Sequence, residues 1–300
     1  MIRNGSDRSS RTLGPAVAGN WYPANPSSLG TLVDEMVAKA PVPPGVPDEV
    51  LALIEPHAGL MYSGAVAAHG FRAVESARYD RVIVIGPSHY VGFRGAALPQ
   101  ADGYRTPLGT VPIDVEALDA LRAEAGFRTD NEAFRPEHSL EAEIPFLQRV
   151  LEPGFRLVPV LVGGGSSGAA AEQVAVGLKR LLAPETLVVV SSDFTHFGPN
   201  FGYVPFRRDI PERIRELDMG AVRFIEAGDV SGFESYLAGT GATVCGRDAI
   251  EVLLRMLPAG VRCSLLAYDT SGRMTGDWNH SVSYAALVFR GGDTGAAGRG

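Results

Sequence analysis

Six apolar, β-branched runs, at 51–55, 82–86, 157–162, 187–191, 261–268 and 282–289, punctuate this chain and restrict what it can become. A run such as Val82-Ile-Val-Ile85, apolar at every position instead of every second one, is a strand that has to be covered on both faces. Helical patterns alternate with these runs over 28–40, 63–76, 114–125, 169–182, 211–226, 233–238 and 248–257, so the cover is supplied locally. The expectation is an α/β fold. Asp114 suits the cap of the helix that follows it, and Pro211 suits a first helical turn, where its missing N–H has no partner to lose. Between Leu98 and Ile113, the turn formers of Tyr104-Arg-Thr-Pro-Leu-Gly-Thr110 read as a hairpin or loop leaning over the strand ends, either a plain connection or a lid.

At 300 residues and 45% hydrophobic, the chain suffices for one large core, read as a single domain over 14–290. Met1 to Leu13 and Gly291 to Gly300 are polar or glycine-rich and read as disordered tails. A net charge of −7 without a basic run excludes a phosphate-tracking surface, hence nucleic acid. No stretch approaches the roughly 18 uninterrupted apolar residues of a membrane span, and the N-terminus has no apolar signal core, so a soluble, cytoplasmic protein is expected. Two cysteines, Cys245 and Cys263, are too few for a disulfide framework and read as separate thiols, Cys263 as a packing residue.

Three of the runs end in a short loop carrying a histidine: Glu55-Pro-His57, Gly86-Pro-Ser-His89 and Ser191-Ser-Asp193-Phe-Thr-His196. In an open α/β sheet the carboxyl ends of the strands are where ligands bind, so imidazoles delivered there converge. His57 and His89 are therefore candidate metal ligands. Asp193 and His196, three apart, read as a pair whose side chains meet in a turn, the carboxylate fixing the imidazole as a general base, or as a cap beside a solvent-facing histidine. Cys245 precedes the helix at 248–257, where unpaired amides and the helix dipole favour thiolate; a buried cap-region cysteine is the plain alternative. His138 and Glu141 stand before an apolar face made by Leu140, Ile144, Leu147 and Leu151, with Pro145 restarting the helix. They either look into the site from the side or are peripheral. His69 reads as structural, His280 has no evident place, and Arg247 either binds an anion or pairs with Asp248. Gly163-Gly-Gly-Ser-Ser-Gly168 lacks the Gly-Lys-Ser/Thr ending of a phosphate loop and reads as a connection.

Seven motifs occur in one order: Ala18-Gly-Asn-Trp-Tyr-Pro23, Pro56-His-Ala-Gly59 with Tyr62-Ser-Gly64, Gly86-Pro-Ser-His89, Thr106-Pro-Leu-Gly109, Glu137-His-Ser-Leu-Glu141, Ser192-Asp-Phe-Thr-His-Phe-Gly198 and Thr243-Val-Cys-Gly246. Together they resemble the Memo family, which includes the B proteins of the AmmeMemoRadiSam system and is related to the class III extradiol dioxygenases. The resemblance implies a three-layer αβα sandwich around a mixed central sheet, with a metal pocket at the strand ends. It implies His57, His89 and Cys245 as metal ligands, and His138, Asp193 and His196 as pocket residues. One departure is Glu143, where family members more often carry glutamine or histidine.

An open site of two imidazoles and a thiolate accepts iron(II), and its softness admits copper or zinc. The expected function is a metal-dependent, dioxygenase-like oxidoreductase acting on a small molecule. Two alternatives are a phosphopeptide-binding protein, as the resemblance implies for some animal members, and a zinc hydrolase. By the same resemblance, radical-SAM proteins are expected partners.

Overall fold

In a computed structural model, residues 11–45 and 49–291 are described. In chain order the strands are β1 (Thr12–Leu13), β2 (Val50–Glu55), β3 (Arg81–Pro87), β4 (Ala96–Leu98), β5 (Gly103–Thr106), β6 (Gly109–Pro112), β7 (Phe127–Thr129), β8 (Arg156–Val162), β9 (Thr186–Ser191), β10 (His196–Phe197), β11 (Arg262–Thr270) and β12 (Ser281–Arg290). The helices are α1 (Pro26–Lys39), α2 (Leu60–Arg72), α3 (Val115–Arg122), α4 (Asn131–Phe134), α5 (Ile144–Val150), α6 (Ala169–Lys179), α7 (Ile210–Ala227), α8 (Val230–Thr240), α9 (Arg247–Met256) and α10 (Ser271–Thr275).

All six apolar runs are strands of one mixed sheet, ordered β10-β12-β2-β9-β3-β8-β4-β7 with β11 paired to β12. Its centre, β2-β9-β3-β8, is parallel, whereas β12 and β4 join antiparallel. Every residue of β9 is buried, which is why it can carry the unbroken run Leu187-Val-Val-Val190. Helices α1, α2 and α5 pack together, as do α6 with α9 and α7 with α8; α2 touches β2 and α9 touches β3 and β9. This α/β arrangement is consistent with three layers. Among the described residues no helix is long and apolar enough to cross a membrane.

Local chemistry explains the helix ends. Asp114 caps α3 by accepting from the Ala117 N–H at 3.2 Å, and also receives Arg81 Nε at 2.9 Å. Pro145 and Pro211 sit in the first turns of α5 and α7. The turn-rich segment is a hairpin, β5-β6, whose first strand pairs in parallel with β1 in a separate small sheet.

That pairing corrects the expected extent of the N-terminal tail. Thr12 and Leu13 are ordered because they are in register with Gly103 and Tyr104. The remaining tail expectations fall on 1–10 and 292–300, outside the described residues.

Candidate metal centre

Strands β2, β9 and β3 lie side by side and parallel, so their carboxyl ends share one edge of the sheet. His57, Asp193 and His89 each follow such an end by two residues. The donor atoms of His57, His89 and His138 all lie within 4.8 Å of one another, a group that could hold a metal ion. Cys245 stands outside that group but against one member, with Sγ 3.3 Å from His57 Nε2.

The tautomers follow from what surrounds each ring. Ser191 Oγ, 2.7 Å from His57 Nδ1, gives its single proton to the Ser139 carbonyl or to Glu143 Oε1, so it accepts from an Nδ1–H and leaves the Nε2 lone pair facing Cys245 Sγ. Glu137 Oε1 lies 2.8 Å from His89 Nδ1 and likewise accepts an Nδ1–H from that ring. The Glu137 carboxylate also accepts the backbone N–H groups of His89, His138 and Ser139. It is 3.6 Å from His138 Nδ1, favouring the proton there as well, and Tyr90 Oη is 3.3 Å from the same nitrogen. His138 is further fixed by the rings of Trp21, at 4.3 Å, and His89, at 4.6 Å and nearly parallel.

Burial, aided by the neighbouring imidazoles, pushes His57 well below its ordinary pKa. Burial also lowers His138, to about 4, so both rings are neutral at pH 7 and hold the lone pairs that a cation needs. Burial raises Glu137, but the bonds from His89 and the backbone outweigh it and hold the carboxyl below its usual range.

Asp193 and His196 share no hydrogen bond, although His196 acts electrostatically on the Asp193 carboxyl and lowers its pKa against the larger effect of burial. Residues 192–195 run without a helical turn into β10, and in a chain of that kind side chains three apart do not share a face. Asp193 Oδ1 instead accepts the His57 N–H at 2.9 Å, and burial raises its carboxyl to about 6. His196 Nδ1 is held by the carbonyls of Phe194, at 3.0 Å, and Thr243, at 3.2 Å. Two acceptors require Nδ1–H, which leaves Nε2 of His196 as a base. His196 acts electrostatically on both Asp193 and His57.

Cys245 lies two residues before α9, as its position ahead of the helix predicts, but burial followed by the Asp193 charge raises the thiol well above its ordinary pKa, which matches the buried cap-region alternative. Its backbone N–H donates to Asp193 O at 3.3 Å, and Sγ accepts the Asp193 N–H at 3.2 Å. Gly246 is required here, since a Cβ would stand 2.8 Å from Ser191 O and 2.5 Å from Ser192 Cβ.

Glu141 does not look into the site. Its carboxylate accepts the N–H groups of Ala16 and Val17 and the Tyr22 hydroxyl, tying the N-terminal segment down. Arg247 lies 3.9 Å from Asp248, His280 stacks on Phe201, and His69 bonds the Ala65 carbonyl of its own helix. The 163–168 connection is pinned by Asp248, which accepts from Gly165 and Ser166, and by Glu251, which accepts from Gly168. Sequence reasoning missed Glu137, Ser191 and Tyr90 as site residues. Glu137 opens one quoted motif and Ser191 borders another, yet nothing local announces the rings they serve.

A family described as Memo-like protein matches this chain over residues 14–288, nearly its whole length. The chain belongs to the Memo family. It is 35% identical over 288 residues to a MEMO1 family protein of Methanopyrus kandleri, covering 92% of this chain and 98% of that one. It is 34% identical to Protein MEMO1 of Danio rerio, covering 90% and 94%, and 34% identical to the Protein memo-1 homolog of Caenorhabditis elegans, covering 91% and 81%. Memo membership thus extends over the residues that build the histidine cluster.

Proposed function

We propose that the protein is a metal-dependent oxidoreductase of dioxygenase type, with a fold of the extradiol dioxygenase kind and one ion held by His57, His89 and Cys245. The observation that carries this reading is the pair of outer acceptors, Ser191 and Glu137, which turn Nε2 of two imidazoles toward a common space that Cys245 Sγ adjoins. Three donors leave coordination positions for substrate, the mark of a catalytic site in place of a closed structural one. Iron(II) is the ion this reading favours, with copper or zinc as alternatives, and it would supply redox chemistry with dioxygen.

The chain's own residues do the rest. His196, locked as the Nδ1–H tautomer, takes a substrate proton at Nε2. Asp193 fixes the His57 backbone, and with it the aim of that ring. His138 closes the site on the side of Trp21 and Tyr90. A cytoplasmic home belongs to the same reading, supported by two free thiols.

The test is anaerobic purification with metal analysis, then oxygen uptake against catechols and aminophenols. Turnover that disappears in His57→Ala and Cys245→Ala is expected. Protein that retains no metal under reducing conditions sinks the proposal, and a phosphopeptide bound equally well by both variants would favour a binding module.

A further inference from the structure

The cluster offers one donor more than the proposed ligand set uses, and the surplus donor is the better prepared one. His138 shares the 4.8 Å group with His57 and His89, whereas Cys245 does not. Its ring is clamped between Trp21 and His89, with Glu137 and Tyr90 at Nδ1, so presenting Nε2 requires little rearrangement. Cys245 is differently placed. Its Sγ accepts the Asp193 N–H, and a thiol has to shed its proton before it serves as a ligand.

We propose that His138 is a capture ligand: the imidazoles of His57, His89 and His138 take up an arriving divalent cation, and Cys245 then displaces His138 as the third donor. In the exchange one nitrogen–metal bond breaks, one sulfur–metal bond forms, and the thiol proton leaves to solvent. His138 thereby governs how fast the site is loaded, while Cys245 governs what is finally held. The inference rests on the metal site of the preceding reading but not on its redox chemistry.

Cobalt(II) is the probe, mixed rapidly with the metal-free full-length protein under argon and followed by absorption. Wild type is expected to bind in two phases, the first without and the second with the near-ultraviolet band of a cobalt-bound thiolate. His138→Gln should slow capture at least as much as loss of an outer partner weakens a site, about tenfold, and reach the same final spectrum. Cys245→Ser should keep the fast phase and lose both the second phase and the band. The Cys245→Ser arm decides the matter even where His138→Gln folds poorly, because a fast imidazole-only phase is required there.

A thiolate band that forms in one step, at a rate His138→Gln leaves unchanged, overturns the proposal. So does a Cys245→Ser protein without the fast phase. Absence of any cobalt binding removes the metal reading with it, whereas normal loading of a protein that never consumes dioxygen removes only the oxidoreductase.

Discussion

Glu137 shows how much one side chain can decide. Its carboxylate receives the His89 ring and three backbone N–H groups, three of the four bonds at Oε1 and one at Oε2. A glutamine keeps the shape but turns one acceptor into a donor. Glu137→Gln is therefore expected to weaken metal binding about 10- to 100-fold. Competition with a chelator measures the loss, and nitrogen NMR shifts of His89 report whether Nδ1 has lost its proton. A second residue makes the opposite argument. Glu55 is fully buried, neither carboxyl oxygen has a hydrogen-bond partner among the described residues, and burial with Glu143 nearby raises its pKa strongly. An unsatisfied buried polar group costs about 1–3 kcal/mol, so Glu55→Met should stabilise the fold by that order and raise the thermal unfolding midpoint. A lower midpoint would mean that the carboxyl has a partner such as a buried water.

At the scale of elements, the strands and helices follow from pattern. Unbroken apolar runs became β2, β3, β8 and β9, and the cap at Asp114 stands where a short polar side chain before Val-Glu-Ala-Leu predicts it. Short strands such as β4 and β10 were illegible, because two or three residues carry no period and owe their pairing to the neighbouring strand. The α3 cap also carries a pH signature. Burial raises Asp114, but the Arg81 bonds and the Ala117 N–H outweigh it and hold the folded carboxyl below its ordinary value. A depressed folded pKa means the stabilisation is complete above the unfolded value, about 3.9, and is lost as pH falls through the folded one. Asp114→Asn should cost about 2 kcal/mol at neutral pH and less in acid, since wild type forfeits the same interaction there. Urea unfolding of both proteins across pH 2–7 checks the convergence, and parallel curves would refute it.

The whole molecule supplies what neither residues nor elements hold. His57, His89 and His138 come from three separate segments, so only the folded chain brings them together. A cation that binds there is expected to stabilise by about 2.7 kcal/mol at 100 times its dissociation constant, and not at all in His57→Ala. Thermal unfolding with and without added metal under argon measures this. Equal shifts in both proteins would place the cation elsewhere.

By itself the sequence determined the strands, their helical cover and the delivery of His57 and His89 to strand ends, because unbroken apolar runs, 3.6-residue patterns and the loops that end them are displayed by a linear text. Only the tertiary structure decided which groups meet. It put His138 with the two strand-end imidazoles, turned Asp193 to the His57 backbone and His196 Nδ1 to two carbonyls, set Glu137 and Ser191 behind the His89 and His57 rings and turned Glu141 to the N-terminal segment. Those outcomes depend on distances between segments tens of residues apart, which are fixed by strand order and loop path and have no local periodicity to announce them.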